Sequence, residues 1–138
     1  MPTLVCRMAI AVLVLALAAC ASAPPPPPAT TVPITNYQMV AGKWAGAVAG
    51  LPGGARDEGD WVELTIRPDG SYDFKVARTI GMFGGKGMLS LKDGKMTSQG
   101  ERGSAEYSLS ERGGKQSLRV QGVVENNIKA TGDLTRTR

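Results

Sequence analysis

Four carboxylates, Asp57, Glu58, Asp60 and Glu63, crowd one short stretch of a 138-residue chain, and acids at such spacing can do two kinds of chemistry. One can donate a proton while another accepts one, or the set can surround a calcium ion with oxygen ligands. Neither is expected here, because loop carboxylates are ordinarily held in water and nothing else in the sequence completes a site. The chain has no histidine. That removes the usual Ser–His and Cys–His nucleophile pairs and the ordinary zinc and haem ligand sets. The glycine-rich "GMFGGKG" at 81–87 lacks the Gly-x4-Gly-Lys-Ser/Thr spacing of a phosphate loop, and no helix follows it. A non-catalytic chain without cofactor or metal is therefore expected.

The two cysteines, Cys6 and Cys20, carry different information. Arg7 and the amino terminus precede an apolar run from Met8 to Ala19, the charged-then-apolar order of an export signal. A membrane-spanning helix needs about 20 apolar residues. Here the run ends at Cys20, and the prolines Pro24 to Pro28 that follow cannot extend a helix.

The run Leu17-Ala18-Ala19-Cys20 resembles the lipobox of bacterial lipoproteins. The resemblance implies that residues 1–19 are removed, that the Cys20 thiol carries diacylglycerol, and that the new amino group is acylated. An ordinary signal peptide with an incidental cysteine is the alternative. Several acyl chains, each contributing about 0.8 kcal/mol per buried CH2, make such an anchor effectively permanent. Ala21 stands where an aspartate commonly retains lipoproteins in the inner membrane, so the implied location is the cell envelope, at the outer membrane facing the periplasm. With Cys6 discarded and Cys20 lipidated, the mature chain has no disulfide and must rely on its core.

Residues 20–35 are expected to form the lipidated terminus and a proline-rich tether. At about 3.1 Å per residue, the part from 21 to 33 would hold the folded domain roughly 30–40 Å from the lipid. That domain is taken as 36–138. Removing Arg7 from the 16 lysines and arginines leaves 15 against 12 acidic residues, spread along the chain with no aromatic platform among them. Nucleic acid is not an expected partner.

Turn chemistry and alternation define the elements of the domain. Pro68-Asp69-Gly70 suits a hairpin with a glycine bulge, setting Ile66 opposite Tyr72, Leu64 opposite Phe74 and Val62 opposite Val76. Asp93-Gly94 puts Leu91 opposite Met96, with Lys92 unfavourably facing Lys95. Gly113-Gly114 sets Leu109 opposite Leu118 and Tyr107 opposite Val120. The loop Glu125-Asn126-Asn127, with Asn127 at positive φ, pairs Val124 with Ile128 and Leu118 with Leu134. All four registers give one inner face.

Eight strands result, at 39–49, 60–67, 71–78, 86–92, 95–99, 104–112, 115–124 and 128–136. Closing the first against the last hides the sheet edges, which predicts an all-β, eight-stranded antiparallel up-and-down barrel, with a two-sheet sandwich as the alternative. Three connections read as tight, "PDG", "DG" and "GG", and three as long, "GLPGGARDEG", "TIGMFGGK" and "GERG". The two sets fall at opposite ends. The long-loop end faces away from the tether and is where contacts are expected.

In "AGKWAG", Gly42-Lys43-Trp44 resembles the Gly-x-Trp opening of lipocalins and the first strand of avidin-like barrels. The resemblance implies that Trp44 closes the barrel floor and that Arg136, near the end of the last strand, packs across it. The chain is short for a lipocalin and lacks the usual terminal helix. Trp61 falls out of phase with Val62, Leu64 and Ile66 and should point outward, while Met82 and Phe83 are placed in a long connection. These three are the candidate contacts for a small apolar ligand or an envelope protein partner. An inhibitor module is an alternative, because "GSAEY" at 103–107 loosely resembles the inhibitory loop of lysozyme inhibitors. A purely structural lipoprotein is another.

Overall fold

The computed structural model describes residues 24–53, 59–78 and 81–138. The expected export segment, the lipobox-like run ending at Cys20, the acids Asp57 and Glu58, and Thr79-Ile80 lie outside these residues. Nine strands are described: β1 Thr30–Val32, β2 Gly42–Ala49, β3 Asp60–Ile66, β4 Ser71–Arg78, β5 Gly81–Lys92, β6 Lys95–Gly100, β7 Gly103–Arg112, β8 Lys115–Val124 and β9 Ile128–Thr137. Strands β2 to β9 pair with their neighbours in sequence, and β2 also pairs with β9, which closes an eight-stranded antiparallel barrel.

The turn residues set the registers as their chemistry predicts. Ile66 pairs with Tyr72 and Val62 with Val76 across the first hairpin, where the Arg67 amide donates to the Ser71 carbonyl over 2.8 Å. Asp93 and Gly94 both take positive φ, and Leu91 pairs with Met96. Gly113 and Gly114 do the same, and Leu109 pairs with Leu118. Asn127 has a φ of 60°, and Leu118 pairs with Leu134. In consequence Leu64, Ile66, Tyr72, Val76, Leu89, Met96, Leu109, Leu118 and Leu134 form one core around Trp44. At about 1.5–3 kcal/mol for each large side chain buried, this core is what holds the described residues, none of them a cysteine, together.

Three expectations are corrected. The segment "TIGMFGGK" is not a long loop: β5 begins at Gly81, opposite Arg78, so Met82 and Phe83 lie in a strand opposite Ala77 and Val76. The glycines serve the sheet. A Cβ at Gly85 would lie 2.8 Å from the Phe74 ring, and one at Gly87 would lie 3.0 Å from the Tyr72 hydroxyl, so both admit aromatic rings folded across β5. "GERG" is likewise a tight connection, with Gly100 opposite Gly103, and "GSAEY" is the start of β7 with Tyr107 buried, not a loop. Of the connections read as long, only 50–59 remains so.

The third correction concerns the tether. Strand β7 outruns β6, which pairs with it only from Gly103 to Tyr107, and β1 covers the exposed edge by pairing Thr30, Thr31 and Val32 with Glu111, Ser110 and Leu109. Ile34 and Val40 are buried. The packed chain therefore starts at Thr30, ahead of residue 36, and any tether would be shorter by that amount.

Tyr107 makes one consequence of this packing measurable. Burial pushes its phenol up to about 12, partly opposed by a hydrogen bond with Ser98 and reinforced by Tyr72. The Tyr107 and Ser98 hydroxyl oxygens are 3.1 Å apart. In the unfolded chain the phenol titrates at about 10. Its contribution is thus complete below pH 10 and is lost as pH rises through the folded value, because only the unfolded state gives up its proton in that window. Urea unfolding should show a loss of about 2–3 kcal/mol between pH 9 and 12 that Tyr107→Phe removes.

Candidate functional site

The two ends of the barrel differ in chemistry. At the end where β3, β5 and β9 begin, the first residue of β3 and the last of β4 continue the inward phase of Val62 and Val76. These residues are Asp60 and Arg78. Arg78 Nε donates to Asp60 Oδ1 over 2.9 Å and Nη2 to Oδ2 over 2.6 Å, while Nη1 donates to the Pro52 carbonyl. Both side chains are only 8% exposed. The guanidinium also lies over the Phe83 ring, with Cζ 4.3 Å from its centroid. One side chain thereby ties β3, β4, β5 and the start of the 50–59 connection together.

This geometry breaks up the carboxylate cluster suggested by the sequence. Asp60 points into the barrel mouth with both oxygens engaged by Arg78, whereas Glu63 is on the outer wall opposite Ala45 and Lys75. The wall lies between them. Asp57 and Glu58 are outside the described residues.

The rim of this end carries several exposed apolar side chains. Trp61 is 53% exposed, Met82 69%, Phe83 and Val123 42% each, and Ile128 38%. Trp61 and Met82 flank Ala77 from outside, since Ala77 is opposite both. Phe83 shares the inward face of Val76, so the three candidate contacts split between the outer wall and the mouth. Sequence phase finds Trp61. Val123 and Ile128 carry no comparable signal in the sequence, although their places beside the 125–127 turn put them at the same end. Just inside, Phe74, Ala105 and Val120 are only partly buried, and the Phe74 ring fills the space beside Gly85. These partly buried side chains lie between the mouth and the fully buried core.

The floor is built by the chain leading into β2. Trp44 Nε1 donates to the Val40 carbonyl over 2.7 Å. Arg136 stacks on the same indole, with Cζ 4.6 Å from the ring, and its two Nη atoms donate to the carbonyls of Ala41 and Met39 over 2.6 and 2.8 Å. Tyr37 crosses beneath and donates to the Leu89 carbonyl over 2.9 Å. Trp44 and Arg136 thus meet at the end opposite the rim.

A third feature is a groove of about 340 Å³ on the outer wall, bordered by Lys43, Glu63, Thr65, Asp73, Lys75 and Arg138. Its charges alternate in sign along neighbouring strands, the pattern of a solvated sheet face. Among the described residues, no group of histidine, cysteine and acidic side chains is arranged to hold a metal ion, and every buried side-chain nitrogen and oxygen has a partner. No protein-family model, no curated protein and no solved structure matches this chain.

Proposed function

We propose that this chain is a bacterial envelope lipoprotein, anchored through Cys20, whose barrel engages an envelope protein through its open rim without catalysing a reaction. One observation carries the proposal. Of the six large apolar side chains exposed among the described residues, five, Trp61, Met82, Phe83, Val123 and Ile128, gather at the rim, and the tether joins the opposite end. Exposed apolar side chains set around one end mark that end for contact, and its position aims it away from the anchoring membrane. The Trp44–Arg136 stack supports the likeness to lipocalins. The partly buried Phe74, Ala105 and Val120 and the exposed Phe83 favour a second reading, a small apolar ligand held at the mouth.

Two measurements test the proposal. Cys20→Ser should abolish labelling by radioactive palmitate and move nearly all of the protein out of the detergent-soluble membrane fraction. Retention of label would end the lipoprotein reading. A photo-crosslinking residue at position 82, in the full chain in cells, should yield one discrete adduct that the same residue at Met88, exposed on β5 nearer its far end, does not. Equal patterns at both positions would remove the rim as a docking site, and a small retained lipid-sized mass would favour the ligand instead.

A further inference from the structure

We infer that the turn end of the barrel settles on the anionic phospholipid headgroups of the leaflet that holds the chain, an inference that rests on the reading of Cys20 as the anchor. Two neighbouring hairpins at this end each close on a pair of cations. Lys92 stands directly opposite Lys95 across Asp93-Gly94, and Arg112 opposite Lys115 across Gly113-Gly114. Like charges facing each other on paired strands disfavour the hairpin. All four are exposed, and no ion pair among the described residues involves them. Asp93 lies within one of the turns and Glu111 next to Arg112 in sequence.

The rest of the barrel does not repeat this arrangement. At the third turn of the same end, Arg67 is paired with Asp73. At the rim, Arg102 is paired with Glu125 at 3.6 Å and Arg78 with Asp60. Other cations outside ion pairs, such as Lys75, Lys86 and Lys129, stand singly, whereas the two places where cation faces cation across a strand pair are these adjacent tips.

The tether leads to one of those tips. Because β1 runs antiparallel to β7, with Thr30 opposite Glu111, the chain preceding Thr30 travels toward the Arg112–Lys115 turn. There a Cβ on Gly113 would be 4.0 Å from Pro27 Cγ. Pro27 is seven residues beyond Cys20, a stretch that spans about 25 Å at most when fully extended. The tips are thus confined near the headgroups, where ammonium and guanidinium groups can donate to phosphate oxygens. Each cation brought to such a surface raises its occupancy roughly fivefold, and the attraction fades beyond a Debye length of about 8 Å. Docked this way, the barrel stands on its basic turns with the apolar rim outermost.

The test uses the full lipidated chain, extracted from membranes and placed in nanodiscs of phosphatidylcholine alone or mixed with phosphatidylglycerol, with lysine acetylation read by mass spectrometry. In the mixed discs, Lys92, Lys95 and Lys115 should react at least severalfold more slowly than in phosphatidylcholine, and high salt should restore them. Lys129, at the rim, should react equally in both. Equal reactivity of the three tip lysines in the two lipids would overturn the inference while leaving the anchor intact. The same protection from inorganic phosphate added to phosphatidylcholine discs would also overturn it, since the tips would then bind the free anion. A chain that separates from both kinds of disc would overturn the anchor reading and this inference together.

Discussion

Replacing Arg78 with methionine is expected to lower stability by about 3–5 kcal/mol, because it strands the Asp60 carboxylate in the barrel wall. Both partners are 8% exposed, and the carboxylate receives two hydrogen bonds from the guanidinium. Water reaches such a site poorly, so an unpaired carboxylate there stays desolvated. Removing the charge as well should recover much of the loss: the double variant Asp60→Leu, Arg78→Met is expected within about 2 kcal/mol of the parent, since a buried pair is often replaceable by apolar groups. Urea midpoints of the parent, the two single variants and the double variant measure this directly. If the single variant loses under about 1 kcal/mol, the pair is hydrated and behaves as a surface bridge. Arg78 also holds the Pro52 carbonyl and the Phe83 ring. The single variant should therefore also weaken the crosslink at position 82.

The barrel was legible where local chemistry and long-range pairing agree. Asp93-Gly94, Gly113-Gly114 and Asn127 adopt the positive φ that their residue types favour, and each then fixes a ladder whose apolar residues fall on one face. The start of β5 was not legible, because "GMFGG" has the low strand propensity of a loop. Its pairing is decided by β4, whose Phe74 and Tyr72 rings occupy the space a side chain at 85 or 87 would take. Strand β1 was hidden for a related reason. Three residues after a proline run carry no period, and they pair only because β7 extends past β6.

The candidate site was legible in part. Trp61 betrays itself by phase, and Trp44 with Arg136 by a motif and a matching phase at the other end of the chain. Arg78 does not, since a charged residue at a strand end reads as solvated until its phase with Val76, Phe74 and Tyr72 is taken literally. Asp60 was grouped with its neighbours in sequence. A period of two along the strand instead sends it and Glu63 to opposite sides of the wall.

Trp44→Ala should cost about 3–5 kcal/mol, as truncation of a large buried aromatic leaves a cavity that its surroundings only partly fill. Trp44 sits at the centre of the floor, and its loss also strands the Val40 carbonyl that accepts from Nε1. Trp44→Phe separates the two effects: it keeps most of the ring but removes the donor, for a loss of about 1–3 kcal/mol. Arg136 distinguishes stacking from tethering. Its guanidinium both covers the indole and donates to the carbonyls of Met39 and Ala41, so Arg136→Ala loses both contacts in the parent but only the carbonyl bonds in a Trp44→Leu background. A cation–aromatic contact of this kind contributes about 0.5–2 kcal/mol, and the difference between the two backgrounds, read from urea unfolding, isolates it. Equal losses in both would mean that Arg136 secures the floor through the backbone of residues 39–41 alone, with the indole serving only as packing.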